Sequence, residues 1–360
     1  MKEDRLKKGE AMRLKEGMEG RKEMNMKKSW AVVPTAALLV SLGSPMVQAV
    51  ESTGQEKGPN QSLAVSKAAV EPVASKGIQT QAEDPNEVKS IDEWIPNNPS
   101  LALRVKEEVL GEFEPSNLVS RKQLESLERL TLEYWGDDSL AGIGVLKGLQ
   151  TLNIYGDVKD YTPLRGLPNL LVLNLYGTNC TNLDFLEGMA PLNNLMVQTT
   201  ELTSVEGLRH QTALATLDIS NNSKVTDWSP LNQLTTLRGL NVAYCGIDDY
   251  SFIQNMTKLT RLNLDGNPIT KVEGLQALPD LKFLTLGSTP LEDFSGLKGL
   301  DLIRLNVSHT GIHRAEDLAL IEDMINLEEL YMSDNQLTEV PSFTKLTKLK
   351  KYRFSTQSTS

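Results

Sequence analysis

One unit of about twenty-two residues recurs along this chain and constrains everything else about it. "LTRLNLDGNPITKVEGLQALPD" runs from Leu259 to Asp280, and "LKFLTLGSTPLEDFSGLKGL" then follows in nearly the same pattern. Aligned on L-x-x-L-x-L, units begin at Leu127, Leu149, Leu170, Leu192, Leu214, Leu237, Leu259, Leu281, Leu302, Leu327 and Leu349. The steps between them are 22, 21, 22, 22, 23, 22, 22, 21, 25 and 22 residues. A period of this size means a stack of like units, each too small to bury its own apolar side chains and each covering its neighbour's.

Within a unit such as "LTRLNLDGN", Leu262 and Leu264 alternate with Arg261, Asn263 and Asp265, as a strand with one buried face requires. Stacked copies give a parallel sheet. The fold class is therefore an α/β solenoid, a leucine-rich repeat horseshoe with the sheet on its concave face, over residues 127–354. After each strand the chain turns, and the turn column carries small hydrogen-bonding side chains, among them Asn222, Cys245, Asn267 and Asn335. An amide there can satisfy backbone groups that the stack would otherwise bury unpaired. Cys180 takes the inward position that Ile269 holds in the opening unit, three repeats from Cys245, or roughly 15 Å at one strand spacing per repeat. That is too far for a disulfide, so two free, buried, structural thiols are expected.

The repeats need a cover at their first edge. "SLALRVKEEVLG" spaces Leu101, Val105 and Val109 as an amphipathic helix with Gly111 as its stop, and a second short helix is expected over Arg121–Leu124. Residues 93–126 are thus a helical cap. "RAEDLALIEDMIN", inside the 25-residue step, suits a helix on the convex side. Residues 355–360 form a tail.

From Met26, "MKKSWAVVPTAALLVSLGSPMVQA" has the order of a secretory signal: Lys27 and Lys28, an apolar run, then Val47-Gln48-Ala49 as a small-x-small cleavage site. Residues 1–49 are assigned to it, with cleavage near Ala49 and a secreted or envelope-associated product. The first 25 residues mix acids with bases, and translation is expected to start at Met26 or Met24. Pro34, Gly43 and Pro45 break the apolar run, so no transmembrane anchor is expected after cleavage. Residues 50–92 lack aromatic residues and read as a disordered spacer.

Charge narrows the classes of partner. The chain has 37 Lys+Arg against 47 Asp+Glu, a net of -10. Residues 1–49 hold ten basic and six acidic side chains, leaving 27 against 41, a net of -14, for residues 50–360. Without a basic block to neutralise phosphates, nucleic acid is not an expected partner. The three histidines, His210, His309 and His313, join no cluster at metal-ligand spacing, and no phosphate loop or nucleophile elbow occurs. No enzymatic activity, metal or cofactor is expected. Asp137-Asp138 and Asp248-Asp249 read as turn residues.

Recognition must then use the outward strand positions, which the repeat leaves free to vary. The candidate partner-binding residues are Tyr134, Tyr155, Tyr176, Asn153, Asn174, Glu133, Arg261 and Arg304. Tyr155 and Tyr176 stand on successive strands and are expected to stack, offering the aromatic area that interfaces favour. The asparagines form a polar stripe suited to a peptide or sugar, and the arginines could steer an acidic partner.

"WIPNNPSLALRVKEEVLG", followed by units such as "LATLDISNNSKVTDWSPLNQLTT", resembles the internalin-like leucine-rich repeat proteins of Gram-positive bacteria, over roughly residues 93–354. The resemblance implies a secreted or wall-associated protein that binds other proteins through its concave face. No immunoglobulin-like domain or LPxTG signal accompanies the repeats in this sequence, so the resemblance does not extend to adhesion or invasion. The expected function is an exported, monomeric recognition protein with a protein or glycan ligand. Two other readings stay open: an intracellular leucine-rich repeat regulatory subunit, and a structural envelope component without a specific ligand.

Overall fold

The alternation of inward leucines with outward polar residues builds one sheet. The computed structural model of the chain describes residues 83–135, 139–337 and 341–355, with the side chains of Tyr134 and Trp135 outside that set. The expected signal segment, spacer residues 50–82, Asp137-Asp138 and the last five residues of the tail lie outside the described residues.

The sheet has eleven parallel strands in sequential order. They are β3 (Arg129–Trp135), β4 (Thr151–Gly156), β5 (Val172–Asn174), β6 (Asn194–Met196), β7 (Thr216–Asp218), β8 (Gly239–Asn241), β9 (Arg261–Asn263), β10 (Phe283–Thr285), β11 (Arg304–Asn306), β12 (Glu329–Met332) and β13 (Lys351–Phe354). The register matches the repeat: Leu262 of β9 pairs with Leu240 of β8 and Leu284 of β10. The inward leucines are fully buried and join one continuous core with the apolar residues of the return segments. Most return segments close with a 3₁₀ turn, such as Ser229–Gln233 and Ser251–Asn255. Five of these turns start where an Asx side chain accepts a backbone N–H two residues on, as Asp249 does from Ser251 at 2.8 Å. The 25-residue step has room for a true helix, Ala315–Glu322.

The turn column is a buried ladder. Asn222 donates through Nδ2 to Val197 O (2.8 Å) and Ile219 O (3.0 Å), and its Oδ1 accepts from Thr200 Oγ1 (2.8 Å). Asn335 repeats this, donating to Val307 O (2.8 Å) and Met332 O (2.9 Å) and accepting from the N–H groups of Thr310 and Gly311. Cys245 keeps only the donor half: Sγ lies 3.2 Å from Ile219 O. Both cysteines are free and buried, and burial pushes each thiol pKa up to about 12. The residue before the column turns left-handed in repeat after repeat, with φ of 56° at Thr199, 54° at Tyr244 and 57° at His309. At Gly266 a side chain is also excluded by space, because a Cβ would lie 2.2 Å from the Tyr244 ring.

At the first edge stand β1 (Val88–Ser90), α1 (Ile91–Trp94), α2 (Pro99–Leu110), β2 (Leu118–Ser120) and α3 (Arg121–Glu125). Asn98 caps α2 by accepting from Leu101 N–H, and Gly111, at φ 103°, ends it. Arg104 donates from Nε to Thr131 O at 3.0 Å, satisfying a carbonyl on edge strand β3. The spacer was expected to run to residue 92, and here the structure corrects the expectation: residues 83–92 are part of the fold. Val88–Ser90 pairs antiparallel with Leu118–Ser120, and Arg121 holds Glu83 (2.5 Å) and Glu87 (2.7 Å). Composition missed this because the partners lie about thirty residues downstream. No helix among the described residues is long and apolar enough to cross a membrane.

Candidate functional site

Three outward positions per strand make the concave face, and the structure uses them unequally. In the position of Asp265, the middle repeats carry Gln198, Ser220, Ala243, Asp265 and Gly287, all buried. At the N-terminal end the same position carries exposed Glu133, half-buried Tyr155 and Tyr176, which is 38% exposed. In this column, the large side chains with exposed area therefore lie on β3, β4 and the turn after β5.

Asn174 ties the two tyrosines together. Its Nδ2 donates to the Tyr155 hydroxyl at 3.2 Å, and its Oδ1 accepts from the Tyr176 N–H at 3.0 Å. The expected ring stacking is corrected: among the described residues the ring pairs are Tyr161–Phe185, Trp228–Phe252, Phe343–Tyr352 and Tyr352–Phe354. The reason lies in strand length. β4 carries Tyr155 within the sheet, whereas β5 ends at Asn174 and Tyr176 already belongs to the turn. Burial, then the charge of Glu133, raises the Tyr155 pKa above its ordinary 10. The phenol is thus a hydrogen-bonding tip at neutral pH. Beside this pair, Gln198 is only 8% exposed, and its Oε1 has no hydrogen-bond donor among the described residues. Tyr134 lies on β3, with its side chain outside the described residues.

The polar stripe is more than a solvated row. Asn153 Nδ2 donates to Thr131 Oγ1 at 3.1 Å and Asn241 Nδ2 to Asp218 Oδ2 at 3.0 Å, so neighbouring strands are laced across the face. Asp218, Asn241 and Thr285 are buried by this lacing. Burial raises the Asp218 pKa although Ser220 and Asn241 hydrogen-bond to it. Asp265 is 9% exposed, and burial outweighs the 2.6 Å bond from Gly287 N–H to raise its pKa to about 6. The sequence reading missed both buried carboxylates.

The two arginines differ. Arg304 Nε lies 2.7 Å from Glu329 Oε2, and Lys351 Nζ lies 3.0 Å from the other oxygen. Burial would raise the Glu329 pKa, yet bonds from Arg304, Lys351 and Tyr331 bring it below its ordinary value. Arg261 is stacked on Phe283 instead, 4.6 Å from the ring centroid, and has no carboxylate partner among the described residues.

Family profiles match two parts of the chain: "Leucine Rich repeats (2 copies)" over residues 257–299 and "Leucine Rich Repeat" over 326–346. A search of curated proteins gives no match. Among solved structures, internalin C2 of Listeria monocytogenes is similar at 27% identity and a TM-score of 0.55, covering 63% of this chain and all of that one. An internalin of the same organism, InlF, is 21% identical at TM-score 0.52, covering 74% of this chain and 98% of that one. The functional domain of InlJ, also from Listeria monocytogenes, is 23% identical at TM-score 0.56, covering 76% of this chain and 62% of that one.

The chain is a leucine-rich repeat protein similar in fold to these internalins.

In this leucine-rich repeat chain the turn ladder and the leucines belong to the repeat itself, which leaves the tyrosine end and the Arg261 region as its individual features. The histidines stand apart from both. His309 Nε2 lies 3.1 Å from Asp334 Oδ2, His313 Nδ1 lies 2.7 Å from Gly311 O, and His210 closes a 3₁₀ turn. Among the described residues no group of three or more His, Cys, Asp or Glu side chains is placed to hold a metal.

Proposed function

We propose that this is an exported recognition protein that binds a protein partner on the concave face, with Tyr155 and Tyr176 at the centre of the contact and Glu133, Asn153 and Asn174 around them. The observation that carries the reading is the pair of tyrosines on successive repeats, with Asn174 bonded to the Tyr155 hydroxyl and to the Tyr176 backbone N–H. Phenol rings bury large area at small entropic cost and keep a polar tip for a partner's hydrogen bond. In the middle repeats the same outward column offers little comparable area, because Gln198, Ser220, Ala243, Asp265 and Gly287 are buried.

Export rests on the signal-like order from Met26 to Ala49. The internalin-like fold is consistent with a binding scaffold, in which function lives in side chains grafted onto the repeat.

The test is photo-cross-linking. A benzophenone amino acid replaces Tyr176 in one variant and Asn232, on an exposed return segment, in another. The proteins are incubated with the envelope and medium fractions of the native host. The reading requires a discrete protein adduct from position 176 and none from 232. Equal labelling at both positions, or no adduct at 176, overturns it.

A further inference from the structure

The Arg261 region carries chemistry that the tyrosine end lacks. Strands β9, β10 and β11 are in register, so Phe283 is flanked by Arg261 and Arg304, and Thr285 by Asn263 and Asn306. Both guanidiniums approach the one ring, at 4.6 Å and 5.6 Å from its centroid. Two like charges sharing a ring repel unless something neutralises them. Glu329 does this for Arg304. Nothing among the described residues does it for Arg261, whose pKa is lowered by burial and by the charge of Arg304.

Asn263, two residues along the same strand and on the same face, is set up to help. Its Oδ1 is occupied twice, accepting from Asp265 N–H at 2.9 Å and from Thr285 Oγ1 at 2.6 Å. Those bonds fix the amide plane and direct Nδ2 away from them. In the same column, Asn153, Asn174 and Asn241 give Nδ2 to a neighbouring strand. The Nδ2 of Asn263 has no acceptor among the described residues. On the other flank, Gly239 of β8 pairs with Arg261 and contributes no side chain, which leaves that side of the guanidinium uncovered.

We infer that Arg261 and Asn263 form a recognition point for a carboxylate, presented by an acidic side chain of the protein partner. A planar guanidinium held against an aromatic ring presents two parallel donors that match a carboxylate, and the amide adds a third. One uncompensated positive charge suits a monovalent carboxylate better than a divalent phosphate, and the buried carboxylate of Asp265 further along the strand adds to that preference. The inference rests on the concave face being the binding face, and it places an acidic group of the partner several repeats from the tyrosines.

The experiment uses the exported chain labelled with ¹⁵N in its arginine and asparagine side chains, and a small probe in place of the partner. Acetyl-Gly-Glu-Gly-amide is titrated while the Arg261 Nε–H and Asn263 Nδ2–H resonances are followed, with the Gln analogue, glucuronate and inorganic phosphate as comparisons. Saturable shifts of both groups are expected with the Glu peptide, at least tenfold weaker with the Gln analogue. In Arg261→Gln, the Asn263 resonances report at least a tenfold loss, while Arg261→Lys retains part of the affinity because the charge remains but the fork is gone. Unmoved resonances, or equal shifts with the Gln analogue, overturn the inference. Tighter binding of glucuronate or phosphate than of the Glu peptide overturns the acidic-protein assignment. Loss of this response with cross-linking at position 176 intact removes only the carboxylate site. The reverse pattern removes the tyrosine site and leaves this one standing.

Discussion

The backbone N–H of Cys245 donates to Oδ1 of Asn267, one repeat further on, at 3.1 Å. The same oxygen accepts from Ile247 N–H at 3.0 Å, while Nδ2 of Asn267 donates to Val242 O and Leu264 O, each at 2.9 Å. One buried amide thus satisfies four backbone groups drawn from two repeats. Asn267→Ala leaves all of them unpaired in the core. At about 1–3 kcal/mol per orphaned group, offset by local relaxation, a loss of about 3 kcal/mol is expected. Urea denaturation of the variant should show the midpoint falling with little change in slope. A loss under about 0.5 kcal/mol would mean that the amide is dispensable.

The buried carboxylate of Asp265 makes stability depend on pH in an unusual direction. Its folded-state pKa, about 6, exceeds the ordinary 3.8, because burial outweighs the hydrogen bonds. Between those values the folded chain holds more protons than the unfolded one, so this group's contribution falls as pH rises through the window. Asp265→Asn removes the ionisation, and at pH 8 it should stabilise the chain by on the order of 2 kcal/mol, with no such gain at pH 3.5. Thermal melts of both proteins across this range provide the check; a variant less stable than wild type at pH 8 would refute the assigned cause.

The two cysteines should be chemically silent. Both thiols are buried, with pKa values near 12, so almost no thiolate exists at pH 8. Ellman's reagent should find no reactive thiol in the native protein and two after denaturation. Fast reaction of either cysteine under native conditions would contradict the burial.

Much of this molecule is legible in its repeat. The step from one L-x-x-L-x-L to the next sets the strand register, and the inward leucines and the asparagine column follow from the need to cover the neighbouring unit. Pairings across the face are harder to read. Arg304 and Glu329 occupy adjacent places in one outward column, and that adjacency was the available signal for their ion pair. The burial of Asp265 depends on strand packing around Gly287, which no single unit encodes. The strand at Val88–Ser90 escaped notice because its order is created by Leu118–Ser120, far from it in sequence.

Export makes its own prediction, from the sequence alone. The native protein, recovered from medium or envelope and sequenced from its N-terminus, should begin at Val50. An uncleaved chain recovered from the cytosol would instead favour an intracellular regulator.

The central claim is that the tyrosine end of the concave face holds the partner. Its most direct test is the affinity of the double variant Tyr155→Ala/Tyr176→Ala for the protein cross-linked at position 176, measured against wild type by surface plasmon resonance. The account predicts at least a tenfold weaker Kd in a variant that still melts cooperatively, with a lowered midpoint that comes from half-buried Tyr155 and its bond from Asn174 and not from Tyr176 in its exposed turn. An unchanged Kd in a folded double variant would contradict it.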